Sequence, residues 1–156
     1  MSLPRLGSAT LLVATVGLLA AAPAAPTARR DSRAVTLLLQ AMNAQRTASG
    51  LRPLRLDQRL CDIAYEHAAD MARRSYIGHT TPEGLTPFDR MRARHYRFGY
   101  AGENLALDQS VRLVFTDFWN SSEHRSNMLG QHYARVGIAS VDDPPQGVIV
   151  VEDFSD

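Results

Sequence analysis

The pattern of apolar residues changes period once along this chain, and that change limits the fold more than any other feature. Up to Gln131 the apolar residues recur at helical spacing. After it come two β-rich runs, "RVGIASV" (135–141) and "GVIVVEDF" (147–154), joined by the loop "DDPPQG". Helices first and a hairpin last imply an α+β domain, with helices packed on a small antiparallel sheet.

Local signals place the helices. Ser32 is a cap for a first helix with the stripe Val35, Leu38, Leu39 and Met42, ending near Gly50. "GLRPLRLD" then crosses in extended form, because Pro53 disfavours helix at Arg52. Asp57 caps a second helix that runs to about Ser75, with Leu60, Ala64, His67 or Ala68, and Met71 inward. "YIGHTTPEG" is turn chemistry, and Pro87 opens a short helix to about Ala93. Ser110 starts another helix, and "SSEHRSNML" extends it or begins a last one.

The N-terminus reads as an export signal. Arg5 precedes the apolar run Leu11–Ala22, which is short for a bilayer span, and Ala22-Pro23-Ala24 offers small residues for cleavage. The expected organisation is a signal peptide over 1–24, a flexible linker over 25–33 and one domain over 34–156, with no stable membrane span after cleavage. The alternative for the first segment is a retained anchor. With Cys61 as the only cysteine, no internal disulfide can form, and the core must suffice alone. Cys61 is expected to be a buried thiol.

Composition excludes some chemistry. All 17 basic residues are arginine, so lysine Schiff bases and lysine general bases are absent. The net charge of +1 gives no global sign of nucleic-acid binding. Arg90, Arg94 and Arg97 would share a helical face if the helix reached that far. They read as a solvated face, or as a contact for an anionic lipid or wall polymer.

The stretch "AGENLA" (101–106) sets a glutamate and an asparagine among apolar neighbours, where a core strand should reject charge. Five histidines bear on it. His67 reads as a hydrogen-bonded packing residue, and His95 and His132 as exposed. His79 lies in a loop and His124 beyond Trp119. His79, Glu103 and His124 could form an open site for a divalent cation, zinc or calcium, with a water in the fourth position. The competing reading is a structural network in which Glu103 pins loops together. Ser122 and His124 do not face each other on a helix, no nucleophile-elbow pattern surrounds Ser121, and Glu103 with Glu123 as a glycosidase pair has no separation to test.

The segments "MNAQRTASGLRPLRLDQRLCDIAYEHAADMA", "YIGHTTPEG", "AGENLA", "FWNSSEHRSNML" and "YARVGIASV" resemble, in order and spacing, the bacterial branch of the CAP superfamily. That superfamily groups cysteine-rich secretory proteins, antigen 5 allergens and pathogenesis-related proteins, whose unit is also called the SCP domain. The resemblance spans roughly Val35 to Phe154. It implies an α-β-α sandwich with a cleft lined by histidines and glutamates. Carried over, the cleft residues are His79, Glu103 and His124, with Arg125 beside the last. Glu103 would face the cleft and Asn104 would hydrogen-bond back to the loop that holds it. Some relatives hold a divalent ion there and others an empty cleft.

The chain departs from the eukaryotic pattern. "QHYARVG" stands where those members carry a second cleft histidine, making His132 a substitute candidate. Ser122 stands at the usual glutamate position, and Glu123 follows one place later, about 100° further round a helix. A three-residue site is therefore the reading carried forward. Family members are reported to bind sterols, fatty acids or other partners more often than to catalyse. The expected function is a secreted, non-enzymatic binding module for a small molecule, lipid or cell-envelope component. The alternative is a metal-dependent extracellular hydrolase with His79, Glu103 and His124 as ligands and Glu123 as general base.

Overall fold

The computed structural model describes residues 31–156. The signal peptide and residues 25–30 of the linker lie outside the described residues. Helix α1 (Ser32–Ala48) begins one residue earlier than expected. Its cap is Asp31, whose carboxylate accepts from the amides of Arg33 and Ala34. Ser32 and Arg33 are thus helical, not linker. The helix ends before Gly50, which has a φ of 72° that suits glycine.

Strand β1 (Arg55–Leu56) and helix α2 (Gln58–Arg74) follow, with Asp57 capping α2 as its position predicts. Helix α3 (Pro87–Ala93) opens with a reciprocal capping box between Thr86 and Asp89. Strand β2 (Ala101–Asp108) contains the Glu-Asn pair. Helix α4 (Val111–Asn120), capped by Ser110, stops at Ser121. Ser121 in turn caps α5 (Ser122–Met128), so His124 lies on a separate helix from Trp119. Strands β3 (Arg135–Asp143) and β4 (Gly147–Ser155) form the expected hairpin.

The sheet order is β1-β3-β4-β2. β4 is antiparallel to both β3 and β2, but β1 runs parallel to β3, so the sheet is mixed rather than wholly antiparallel. One face packs against α1, α4 and α5 through Val136, Ile138, Val150 and Phe154. The other packs against α2 through Ala139, Val141, Ile149 and Val151. The result is an α-β-α sandwich, and α3 joins the α2 layer through Ile63, Met91 and Tyr96. Alternation along a strand sends neighbours to opposite faces. Glu103 and Asp153 therefore point toward α2, whereas Asn104 and Glu152 point toward α4 and α5.

Candidate functional site

The loop carrying His79 joins α2 to α3 and is held from both sides. On α2, His67 Nε2 lies 2.9 Å from the carbonyl of Gly78. On α3, Arg90 donates to the carbonyls of His79 at 2.7 Å and Leu85 at 3.2 Å. Further out, Arg74 pairs with Glu83 at 2.6 Å. A turn-rich segment that lacks regular backbone pairing is thereby fixed by the buried side chains of His67 and Arg90 and by a surface ion pair.

His79 then reaches β2. Its Nδ1 lies 2.8 Å from Glu103 Oε1, and the guanidinium of Arg90 donates to Oε2. The Glu103 and Arg90 side chains are only 1% and 9% exposed, while the His79 side chain is 52% exposed. A buried ion pair holds one imidazole by one nitrogen and leaves its ring at the surface. A carboxylate can only accept, so Nδ1 carries the hydrogen and, in the neutral ring, Nε2 presents its lone pair.

Behind this group stands Asp153, directly opposite Glu103 across β2 and β4 and fully buried. Burial first, and then the charge of Glu103, pushes the Asp153 carboxyl well above the usual carboxylate range; Arg90 acts the other way. His67 is held below its ordinary value, mainly by burial and next by the Arg90 charge.

Asn104 works on the other face. Its Nδ2 donates to the carbonyl of His124 at 3.1 Å and to Glu152 Oε2 at 3.2 Å. Its oxygen accepts from Asn127 at 2.9 Å, and the same Asn127 amide donates to the carbonyl of Glu103 at 3.2 Å. Asn104 thus ties β2 to α5 rather than to its own loop. Burial pushes Glu152 up to about 8, with the Asn104 hydrogen bond opposing.

His124 sits edge-on to Phe118, with ring centroids 4.9 Å apart. Burial first, and then the charge of His79, lowers its pKa. His124 Nδ1 is buried and has no hydrogen-bond partner among the described residues. Arg125 turns away, donating to the Trp119 carbonyl at 2.7 Å and lying over its ring. Glu123 is exposed. His132 is exposed and stacks on Tyr100 at 4.3 Å.

These contacts bear on the expected cation site. Both oxygens of Glu103 are taken, one by His79 and one by Arg90. Among the described residues no three His, Cys, Asp or Glu side chains are grouped to hold a metal. The triad of His79, Glu103 and His124 therefore does not fit as three direct ligands. Glu103 has instead the place of an outer carboxylate that orients an imidazole.

Sequence reasoning put Arg90 on a solvated arginine face, whereas it is buried against Glu103, and it missed Asp153, Glu152 and Asn127. The helix carrying Arg90 ends at Ala93 and His95 adopts a φ of 54°, so Arg90, Arg94 and Arg97 share no helical face. Asp153 and Glu152 had a signal. They interrupt an apolar strand just as Glu103 and Asn104 do, and the same argument applies to "VVEDF".

Residues 39–154 match the cysteine-rich secretory protein family, CAP. The chain belongs to this family. Its bacterial character is clear from the relatives of the CAP domain. It is 32% identical over 106 residues to the uncharacterized protein YkwD of Bacillus subtilis, covering 67% of this chain and 41% of the relative. It is 30% identical over 102 residues to the uncharacterized membrane protein YlbC of the same organism, covering 65% of this chain and 30% of that one. The chain thus spans less than half the length of either curated relative. Among solved structures, an extracellular SCP-domain protein of Bacillus anthracis is 26% identical with a TM-score of 0.71, covering 77% of this chain and 39% of that one. An outer surface protein of Borrelia burgdorferi shares the fold, with a TM-score of 0.76 at 21% identity over 83% of this chain and 98% of that one. Among the described residues, no helix is long and apolar enough to cross a membrane.

Proposed function

We propose that this CAP domain is a non-enzymatic binding module that works outside the cell or in its envelope. The export-like N-terminus supports the location, as do structural neighbours described as extracellular or outer-surface proteins. The observation that carries the binding role is the chain Arg90–Glu103–His79. Two buried charges fix the tautomer and direction of one half-exposed imidazole. His79 Nε2 accepts a hydrogen bond from an N–H or O–H of the ligand. The ligand is a small molecule, lipid or envelope component that offers such a donor beside apolar surface.

Binding is favoured over hydrolysis by the state of the two carboxylates. Glu103 is engaged with two donors, and the candidate general base Glu123 is exposed. A divalent cation at this position would rest on His79 Nε2, with Glu103 behind the ring.

The test is co-sedimentation of the purified chain with phospholipid vesicles and with insoluble cell-wall polymer, alongside calorimetric titration of zinc and calcium. The expected result is saturable binding to one of the two surfaces, weakened at least tenfold by His79→Ala. Turnover of an ester or peptide substrate that depends on added zinc and is lost in His79→Ala would overturn it in favour of the hydrolase.

A further inference from the structure

Strand β2 is an edge strand, because the sheet order gives it a neighbour, β4, on one side only. The register shows which of its backbone groups point away from β4. Arg55 and Asp57 donate to the carbonyls of Ala134 and Val136, so the even-numbered residues of β3 face β1 and the odd-numbered ones face β4. Carried through the β3–β4 and β4–β2 pairs, this alternation sends the even-numbered residues of β2 to β4 and the odd-numbered ones outward. The Glu103 carbonyl agrees, since it accepts from Asn127 on α5.

Beyond Glu103 the edge is unmet. Among the described residues, no hydrogen bond outside the sheet ladder reaches the N–H or C=O of Leu105 or Leu107. Edge strands commonly avoid such a row of free groups with a bulge, a proline or a lysine. Strand β2 has none of these, and it pairs with β4 one to one along its whole length. The side chains of Leu105 and Leu107 pack toward α2 and that of Ala106 toward α4. Leu105 nevertheless keeps 8% of its surface, and Ala106, Leu107 and Asp108 keep more. What the strand leaves to solvent is therefore its edge.

The two flanks of this edge differ. On the α2 side, Ile77 is 47% exposed and lines one hollow with Tyr76 and Leu107. On the α4 side, the carboxyls of Asp108 and Asp117 lie close enough to share a proton, and that hydrogen bond raises the Asp117 carboxyl above its ordinary value, with burial adding to it. Neither carboxyl forms an ion pair among the described residues.

We propose that the free edge of β2 binds an extended polypeptide segment as an added strand, with apolar side chains toward Ile77 alternating with basic side chains toward Asp108 and Asp117. Free N–H and C=O groups recurring about every 7 Å match an extended peptide backbone, and a lipid offers no such series. Side chains alternate between the faces of a strand, so the peptide residue opposite Leu107 meets the apolar flank and the one opposite Asp108 the acidic flank. A second copy of this chain is a poorer occupant. Asn127 closes the edge at Glu103, and residues 105–107 are too short a span to seat two whole domains strand against strand. The added strand uses no atom of the His79 imidazole, so the inference stands apart from the reading of that opening.

The test is calorimetric titration of the full chain with a short, capped peptide of alternating valine and arginine, with amide exchange of the protein recorded in parallel. The expected result is saturable binding that slows exchange of the Leu105 and Leu107 amides. A strand pairs through alternate residues, so methylating the backbone nitrogens of either the valines or the arginines should, in one of the two cases, weaken binding about tenfold or more. Replacing arginine by glutamate in the peptide should abolish binding, Asp117→Asn should weaken it about threefold, and His79→Ala should leave it unchanged. Absence of binding at millimolar peptide, binding indifferent to both methylations, or protection confined to amides outside β2 would overturn the proposal. So would dimerisation that protects the Leu105 and Leu107 amides without peptide, which gives the edge to a second copy. Loss of binding in His79→Ala would also overturn it, by moving the peptide to the other opening.

Discussion

Glu103 and Asp153 face each other across β2 and β4, both shut off from water. Two carboxyls placed so cannot both be charged at low cost. The structure resolves this by giving Glu103 a cation, Arg90, and raising the pKa of Asp153. The site thus holds one buried negative charge matched by one buried positive charge, and His79 is attached to that pair.

The pair makes Arg90 a test of the whole arrangement. Arg90→Met leaves Glu103 buried beside Asp153 without its cation, and it releases the carbonyls of His79 and Leu85. Breaking a buried pair from one side costs about 3–5 kcal/mol. Urea unfolding should show a loss of that size. Arg90→Lys should recover only part of it, since an ammonium cannot reach three acceptors in a planar fork. A loss under about 1 kcal/mol would mean the pair is solvated.

Glu152 predicts how stability varies with pH. Its carboxyl rises from an ordinary 4.5 to about 8 through burial. Between those values the folded chain holds a proton that the unfolded chain has released, so stability falls as pH rises. The contribution is complete below about pH 4.5 and is lost on the way to pH 8. Glu152→Gln keeps an acceptor for Asn104 and removes the titration. At roughly 1.4 kcal/mol per unit the upper limit is near 5 kcal/mol, and partial hydration reduces it to about 2–4 kcal/mol. Melting temperatures of the two proteins should agree at pH 4 and separate by pH 8, with the variant higher.

The elements that sequence predicted well are those whose signals are local. Asp57, Pro87 and Ser110 open their helices where their chemistry suggests, because each acts on amides within one turn. Strand β1 carries no such signal: it is two residues long, and its partner lies at Arg135 and Val136. Its parallel direction depends on a contact that no window of sequence contains. Arg90 was hidden for the opposite reason. Its local signal, a run of arginines, describes Arg92 and Arg94 correctly as exposed. Only the short length of α3 and the approach of β2 bury Arg90. His79 and Glu103 could be brought together by family resemblance, but the use of both Glu103 oxygens became visible only in three dimensions.

Gly137 should tolerate no side chain. It sits on the α2 face of β3, where an added Cβ would lie 2.1 Å from the carbonyl carbon of Leu60 and 2.4 Å from the amide nitrogen of Cys61. Both are backbone atoms in the first turn of α2, so no rotamer relieves the contact. Helix α2 must move off the sheet, loosening Leu60, Ala64 and Ala68. Gly137→Ala is expected to cost about 3 kcal/mol or to prevent folding, by analogy with other overpacked cores. Soluble yield and urea unfolding read the result, and a wild-type midpoint would show that the helix is not packed this closely.

Arg46 is the fourth test, and it separates the frame from the site. This side chain is 1% exposed inside α1, at a helical position that calls for an apolar residue. Its Nε donates to the Arg52 carbonyl at 2.9 Å. One terminal nitrogen donates to Met128 at 2.9 Å and Gly130 at 3.0 Å, and the other to Tyr133 at 3.4 Å. The guanidinium therefore satisfies the carbonyls of the approach to β1, the end of α5 and the loop into β3. Burial lowers its pKa, and no carboxylate among its hydrogen-bond partners offsets that cost. Arg46→Leu fits the apolar stripe by size but strands those carbonyls, and the expected loss is about 3–5 kcal/mol. Amide exchange should report the loss first around residues 128–135. His79 is held by α2, α3 and β2, so ligand binding should persist below the lowered melting temperature. Loss of binding at temperatures where Arg46→Leu remains folded would show that α5 and His124 depend on this anchor as well.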